Sequence, residues 1–208
     1  APGIDVDHFF PRDATSLRKE LKLDNRRVIV SVGRLVHRKG QDHLIQALPQ
    51  ILRSVPDVHL LMVGQGPYRE HLEKLVQRLG LKDHVSFIGR IQYDQLPEYI
   101  CAGDVFAMPS RSRLFGLEVE GLGIVYLEAS ACGLPVIAGS SGGAPDAVLD
   151  GVTGFVVDGQ DNHEIATAAI TLLSDLDQAK KMGAAGREWI IENWRWEIWS
   201  QRFNELLH

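Results

Sequence analysis

The sequence predicts an α/β protein with a doubly wound, parallel β-sheet of about six strands. Short apolar runs rich in β-branched residues alternate with longer amphipathic stretches between residues 27 and 173. Several of the short runs end at a glycine, where the chain can turn sharply out of a strand. Strands that alternate with helices are joined by right-handed crossovers, which place helices on both faces of a parallel sheet.

The strands are predicted from their continuous apolar character, which is typical of strands that are buried on both faces. They cover residues 27–33, 59–64, 85–89, 105–109, 135–139 and 154–157. The helices are predicted from apolar residues at helical spacing, such as Leu44, Ile45, Leu48 and Ile51. They cover residues 41–55, 68–79, 94–102, 124–132 and 163–173, with a helical turn at 144–149. This Rossmann-like order predicts a ligand site beyond the carboxyl ends of the strands.

After residue 175 the pattern is helical only, at residues 176–193 and 196–207. Trp194, Trp196 and Trp199 lie close together in this tail. Their rings either cap the core of the domain or dock against a further domain, and the sequence leaves both interpretations open. The first residues, Ala-Pro-Gly-Ile-Asp, are typical of a turn or linker.

Composition excludes several classes of protein. The chain has 208 residues, of which 45% are hydrophobic and 24% are charged, as in ordinary globular proteins. A net charge of −5 does not favour a nucleic-acid partner. No stretch reaches the roughly 20 apolar residues of a membrane-spanning helix. Cys101 and Cys132 are too few for a disulfide framework. We expect a cytoplasmic protein with buried, reduced thiols.

The loop after the first strand, residues 33–40, predicts an anion site. It leads from a strand into a helix, whose first backbone N–H groups can bind an anion. Arg34 and Lys39 add two cations, of which the guanidinium can contact a phosphate in a bidentate manner. The alternative is a solvated basic loop without a ligand. Gly64 ends the next strand in a Gly-x-Gly sequence, which by itself indicates no more than a tight turn.

Two glutamates bracket the turn that opens the helix at residue 124. The free N–H groups of about residues 123–125, Gly123, Ile124 and Val125, suit a diphosphate. Glu120, before the helix, could accept hydrogen bonds from sugar hydroxyls. Glu128 lies in an otherwise apolar helix, where a charge needs donors such as the two hydroxyls of a ribose. The alternative is a loop acid and an ordinary surface residue. A glycine pair at residues 142–143 allows a further close approach of the backbone, for a ligand or for packing.

The spacing from Glu120 to Glu128 resembles the E-x7-E motif of retaining GT-B glycosyltransferases. A narrower resemblance is to the actinobacterial phosphatidylinositol-mannoside mannosyltransferases, which use GDP-mannose. It rests on the sequences MPSRSR, GLEVEGLGIVYLEASACGLPVIAG, SGGAPDAV and MGAAGREW.

The resemblance implies that this chain is the C-terminal half of a GT-B fold. Residues 1–22 would be an interdomain linker and lead-in, residues 23–193 the nucleotide-sugar-binding domain, and residues 194–208 a helix that crosses back to an N-terminal domain. That domain would supply the contacts with a lipid acceptor and with the inner face of the plasma membrane. The chain by itself is expected to be inactive.

The resemblance also implies roles for particular residues. Arg34, Lys39 and Glu120 would be catalytic: the two cations stabilise the departing GDP, and Glu120 positions the mannose. The remaining positions would bind the donor: Gly33, Gly64, Arg90, Ile91, Gly123, Ile124, Val125 and Glu128. Gly89, Arg90 and Ile91 would border the guanine, and no metal or other cofactor would be required. Two alternatives stay open, namely the same fold with a UDP-sugar donor and a non-catalytic nucleotide-binding module.

Overall fold

The structure, a computed structural model, describes residues 3–113 and 116–206. Its described residues form a six-stranded sheet in the order β3-β2-β1-β4-β5-β6, and every neighbouring pair is parallel. The predicted fold class is therefore confirmed. In chain order the strands β1 to β6 are Arg27–Val32, Val58–Val63, Val85–Gly89, Val105–Met108, Val136–Gly139 and Gly154–Val157.

Helices cover both faces of the sheet, as the alternating pattern predicts. In chain order α1 to α8 are Thr15–Glu20, Gln41–Ser54, Arg69–Arg78, Leu96–Cys101, Ile124–Ala131, Asn162–Ser174, Leu176–Asn193 and Trp196–Leu206. Short 3-10 turns lie at His37–Lys39, Lys82–His84, Tyr93–Gln95 and Ala144–Ala147.

The core consists of two apolar clusters, one on each face of the sheet. Successive side chains of β1 point to opposite faces, so that Ile29 belongs to one cluster while Val28 and Val30 belong to the other. Helix α2 buries Leu44 and Leu48 completely against the first cluster. Both layers thereby fix the strands from which the loops at the carboxyl edge emerge.

Two elements differ from the sequence prediction. The predicted helix at 94–102 is a 3-10 turn followed by α4, and Pro97 occupies the first turn of α4, where its missing N–H costs nothing. Helix α1 lies inside the predicted lead-in and buries Leu17 in the core. The proposed boundaries at residues 22 and 194 stay predictions, and residues 1–2 and 207–208 of these segments lie outside the described residues.

The tryptophan tail closes one end of the domain. Trp194 is buried, and its ring centroid lies 5.6 Å from that of Trp189 and 5.7 Å from that of Trp199. The capping interpretation is confirmed for Trp194. Trp196 is 54% exposed, so docking against another domain stays a prediction for this ring. Among the described helices, none has the length and apolar character needed to cross a bilayer.

The strand order reverses between β1 and β4. In open parallel sheets, ligands bind beyond the carboxyl ends of the strands near such a reversal, so the loops at this edge are where a site is expected. We call residues 33–40 the β1–α2 loop, residues 64–68 the β2–α3 loop and residues 109–123 the β4–α5 loop.

Candidate functional site

The β1–α2 loop packs directly on the β4–α5 loop. Gly40 has a φ of 71°, and a Cβ at this position would lie 1.8 Å from the carbonyl oxygen of Pro109. Only glycine fits this contact, since both the backbone conformation and the space exclude a side chain. Arg34 is exposed at the start of the same loop, and its carbonyl oxygen accepts a hydrogen bond of 3.2 Å from Nε2 of Gln41.

An ion pair joins the two loops. The Nζ atom of Lys39 lies 2.8 Å from Oε2 of Glu120, and the two side chains are only 11% and 7% exposed. The backbone N–H of Glu120 donates to Oγ of Ser141 at 3.1 Å, and Arg38 lies at 4.0 Å from the same carboxylate. Two of the three residues predicted to be catalytic therefore meet, although they are far apart in the sequence.

Helix α5 begins at this place with an open N-terminus. Gly123 caps the helix with a φ of 72°, and no side chain caps its first N–H groups. A Cβ at Gly123 would lie 2.4 Å from the ring of Tyr126. The hydroxyl of Tyr126 donates to the carbonyl oxygen of Met108 at 2.7 Å, which anchors the helix to the end of β4. Ile124 is 44% exposed, so the first turn of α5 faces outward from the core.

Glu128 lies over a turn further along α5 and is half-buried. No residue in the described part of the chain donates a hydrogen bond to its carboxylate or forms an ion pair with it. Burial raises the pKa of Glu128 to about 7. Its charge also contributes, after burial, to raising the pKa of Tyr93, which places the two groups close together. An ordinary surface position, the alternative for Glu128, does not fit this environment.

Two adjoining hollows open at the carboxyl ends of β1, β2 and β3. The first has a volume of about 350 Å³ and extends from Gly33 and Gly64 to Ile91 and Tyr93. The second, of about 700 Å³, is lined by three arginines together with glycine-rich backbone. The residues lining the second hollow are Gly33, Arg34, Gly64, Gln65, Gly66, Pro67, Arg69 and Arg90. Gly64 has to be a glycine here, because a Cβ would lie 2.0 Å from the carbonyl oxygen of Gly33.

The predicted site residues thus form two groups. Arg34, Arg90 and Ile91 line the hollows together with Gly33 and Gly64. The second group is formed by Lys39, Glu120 and the start of α5. No contact between Arg34 and residues 123–125 is found among the described residues. The roles of the individual residues stay predictions.

The glycine pair at residues 142–143 packs against the catalytic candidate itself. A Cβ at Gly142 would lie 1.9 Å from the carbonyl oxygen of Glu120. The N–H of Gly143 donates to the carbonyl oxygen of Gly121 at 2.7 Å. This close approach serves packing around Glu120, which favours the structural interpretation of the pair.

Sequence reasoning missed a second buried cluster, formed by Asp42, Tyr68 and Arg111. Arg111 donates to both carboxylate oxygens of Asp42, at 2.6 and 2.8 Å. The hydroxyl of Tyr68 donates to Oδ2 of Asp42 at 3.0 Å. The available signals were an acidic residue in the first turn of an apolar helix and an arginine directly after a buried strand.

Comparison with known proteins shows the family of this chain. Residues 13–189 match the family described as glycosyl transferases group 1. The chain belongs to this family. It is 53% identical, over 99% of its length, to a GDP-mannose-dependent alpha-(1-6)-phosphatidylinositol monomannoside mannosyltransferase of Mycolicibacterium smegmatis. The match covers 54% of that relative, so the chain spans about half the length of the curated relatives it matches.

Solved structures show the same fold. The Anabaena protein HepE in complex with UDP has a TM-score of 0.88 at 29% identity, with 99% of this chain and 55% of that chain covered. The C-terminal domain of a glycosyl transferase group 1 family protein from Francisella tularensis has a TM-score of 0.82 at 26% identity. The alignment covers 93% of this chain and 100% of that domain, which was crystallised by itself.

Proposed function

We propose that this chain is the donor-binding half of a retaining glycosyltransferase that transfers mannose from GDP-mannose to a phosphatidylinositol-mannoside-type lipid. The observation that carries the proposal is the buried pair of Lys39 and Glu120, 2.8 Å apart, which joins the β1–α2 and β4–α5 loops at the carboxyl edge of the sheet. The name of the M. smegmatis relative, at 53% identity, supports the donor and the class of acceptor.

The site offers a separate place for each part of the donor. The diphosphate would lie against Arg34, Lys39 and the N–H groups at the start of α5, where side-chain and helix-dipole charges are both positive. The ribose would bind Glu128, whose carboxylate has no described donor of its own. The guanine would enter the first hollow, bordered by Gly89, Arg90 and Ile91.

Glu120 would orient the mannose while Lys39 contacts the phosphate. An ammonium group has three N–H donors, so Lys39 can retain its contact with Glu120 and still donate to a phosphate oxygen. As the sugar departs, negative charge grows on the diphosphate, and fixed cations stabilise that charge. This use of side-chain cations is the reason we propose a reaction without a metal. Activity of the complete enzyme in excess EDTA is the corresponding measurement.

The acceptor would bind to a part of the enzyme outside residues 1–208, together with any contact with the membrane surface. We therefore expect residues 1–208 alone to bind the donor nucleotide without transferring the sugar.

A UDP-sugar donor is the second candidate, because HepE, with a TM-score of 0.88, was solved with UDP. Isothermal titration of GDP and UDP into the chain separates the two candidates. We expect GDP to bind more tightly than UDP. Arg34→Ala should lower GDP affinity by about 10-fold, because a charge-assisted contact is lost. Lys82→Ala, in a turn outside both hollows, is the control and should leave GDP affinity unchanged.

Tighter binding of UDP than of GDP would overturn the mannose assignment while keeping the fold and the site. Absence of binding by either nucleotide would overturn the donor site as a whole.

A further inference from the structure

One buried polar cluster joins the start of helix α2 to two loops at the carboxyl edge of the sheet. Asp42 lies in the first turn of α2, Tyr68 at the end of the β2–α3 loop and Arg111 in the β4–α5 loop. The hydrogen bonds between them measure 2.6, 2.8 and 3.0 Å. All three residues are less than 9% exposed, so water contributes little to their solvation.

The charge state of the cluster does not change at ordinary pH. Burial by itself would raise the pKa of Asp42, but the hydrogen bonds and charge of Arg111 outweigh this effect and hold the pKa below its usual value. Burial, followed by the charge of Asp42, raises the pKa of Tyr68 to about 12. The cluster is therefore an ion pair with a neutral phenol, and it keeps this single protonation state at ordinary pH.

Stability alone does not account for such a cluster. Buried ion pairs are often no more stabilising than apolar side chains of similar volume, because both charges lose their hydration. What a bidentate guanidinium–carboxylate pair does supply is a fixed relative orientation of two chain segments.

Each member of the cluster is tied to the backbone of the β1–α2 loop, either directly or through a neighbouring residue. The backbone N–H of Arg111 donates to the carbonyl oxygen of Arg38 at 2.8 Å, next to Lys39. Gln41, adjacent to Asp42, donates to the carbonyl oxygen of Arg34 at 3.2 Å.

Tyr68 connects the β2–α3 loop to the β1–α2 loop. Its backbone N–H donates to the carbonyl oxygen of Leu35 at 3.1 Å. Its ring lies between those of His37 and His71, with centroid distances of 3.7 and 4.5 Å.

We propose that Asp42, Tyr68 and Arg111 are positioning residues that hold Arg34 and Lys39 in register with Glu120, so that both cations reach the terminal phosphate of a nucleoside diphosphate. The inference rests on the proposed function. The cluster does not contact the donor itself; it acts through the backbone of the β1–α2 and β4–α5 loops.

The test compares GDP with GMP, which lacks the phosphate that both cations would reach. Asp42→Asn keeps the shape of the side chain and removes its charge. We expect this variant to lose about 10-fold in GDP affinity and little in GMP affinity, as for coupled neighbouring groups. In the Asp42→Asn background, Arg34→Ala should cost only about 2-fold in GDP affinity, because the guanidinium is no longer held in place.

Asp104→Asn is the matched control. Asp104 pairs with Arg18 at 3.1 Å, but it lies just before β4, at the opposite edge of the sheet. A purely structural effect would lower the unfolding temperature of both variants and leave both ratios of GDP to GMP affinity unchanged. Tyr68→Phe removes a single hydroxyl and replaces Asp42→Asn in the test if that variant does not fold. Its ratio of GDP to GMP affinity should fall about 2-fold.

The outcomes are distinct. An unchanged ratio of GDP to GMP affinity in folded Asp42→Asn and Tyr68→Phe, with normal binding by the unaltered chain, overturns the positioning role alone. Failure of the unaltered chain to bind GDP overturns both this inference and the proposed function.

Discussion

Glu120 lies in the loop before helix α5, and Glu128 lies over a turn inside that helix. The carboxylate of Glu120 is almost completely buried, and its Oε2 atom forms an ion pair with Nζ of Lys39 at 2.8 Å. Glu128 is half-buried, has no hydrogen-bond donor among the described residues, and has its pKa raised by burial to about 7. The fold thus supplies a cation for one carboxylate and, among the described residues, none for the other.

The difference indicates what each group is for. A buried carboxylate without donors costs free energy, so a protein keeps one where a ligand supplies the donors. Glu120 is held in place before any ligand arrives, as suits a group that orients a sugar. Under the proposed function, Glu128 would gain its partners only when a ligand binds, as expected for a group that recognises a ribose.

The largest effect is expected from removing the partner of Glu120. Lys39→Ala leaves that carboxylate buried with only Arg38, at 4.0 Å, as a cationic neighbour, which should lower the free energy of unfolding by about 3 kcal/mol. Thermal unfolding followed by circular dichroism measures the loss. Adding Glu120→Gln to this variant removes the unpaired charge and should recover part of it.

Lys74→Ala is the control for Lys39→Ala. The ammonium of Lys74 lies 2.5 Å from Glu70, but the two side chains are 73% and 78% exposed. Water screens such a pair, so the unfolding temperature should not change measurably. Equal unfolding temperatures for Lys39→Ala and Lys74→Ala would show that burial does not distinguish the two pairs, and the comparison would fail.

A smaller effect is expected where the backbone supports Glu120. Gly142→Ala places a Cβ 1.9 Å from the carbonyl oxygen of Glu120, at a φ of 55°. Left-handed strain and steric overlap together should lower the free energy of unfolding by about 2 kcal/mol, and GDP affinity should fall with it.

Gly151→Ala is the control that separates backbone strain from steric overlap. This glycine has a φ of 73°, and nothing lies within 4 Å of its Cβ position, so only the strain of about 1 kcal/mol applies. If both alanine variants were destabilised equally, the contact with Glu120 would have no energetic consequence.

The smallest effect on stability, and one of opposite sign, is expected at Glu128. Its pKa in the folded state is raised from 4.5 to about 7, so the protonated form is favoured on folding. The contribution of Glu128 to stability is therefore greatest below pH 4.5 and is lost as the pH rises through 7. Glu128→Gln has no such dependence. We expect it to unfold a few degrees higher than the unaltered chain at pH 8, and at the same temperature at pH 4.5.

Glu128→Gln should affect GDP binding in the direction opposite to its effect on stability. Glu128→Gln should weaken GDP affinity, and GDP should release a proton from the unaltered chain near pH 6.5, because ribose donors favour the ionised carboxylate. Titrations in buffers of different ionisation enthalpy measure the proton. Glu188→Gln, at an exposed position of α7, is the control. A variant at Glu128 that kept full GDP affinity would remove the ligand role from this residue.

Much of the fold was predictable because its signals are local. The continuous apolar runs that end at Gly33, Gly64 and Gly89 predicted three strands to within one residue of their observed bounds. Helix α1 was missed because six residues inside a linker-like sequence give too short a pattern for a helical period. The partial burial of Glu128 was predictable too, since the residues around it are apolar.

The contacts that form the site were harder to predict from the sequence. The pairing of Asp42 with Arg111 could not be predicted, since neither residue belongs to a recognisable spacing and each could have been solvated. Glu120 and Lys39 were both candidates, but their direct ion pair depends on two loops from different strands.

By itself the sequence determined where strands and helices form and which residues carry charge beside glycine turns, because apolar spacing and backbone freedom act over a few neighbouring positions. The tertiary structure decided which loops meet. β1 and β4 lie side by side although two strands separate them in the sequence, and that adjacency brings Lys39 to Glu120 and Asp42 to Arg111.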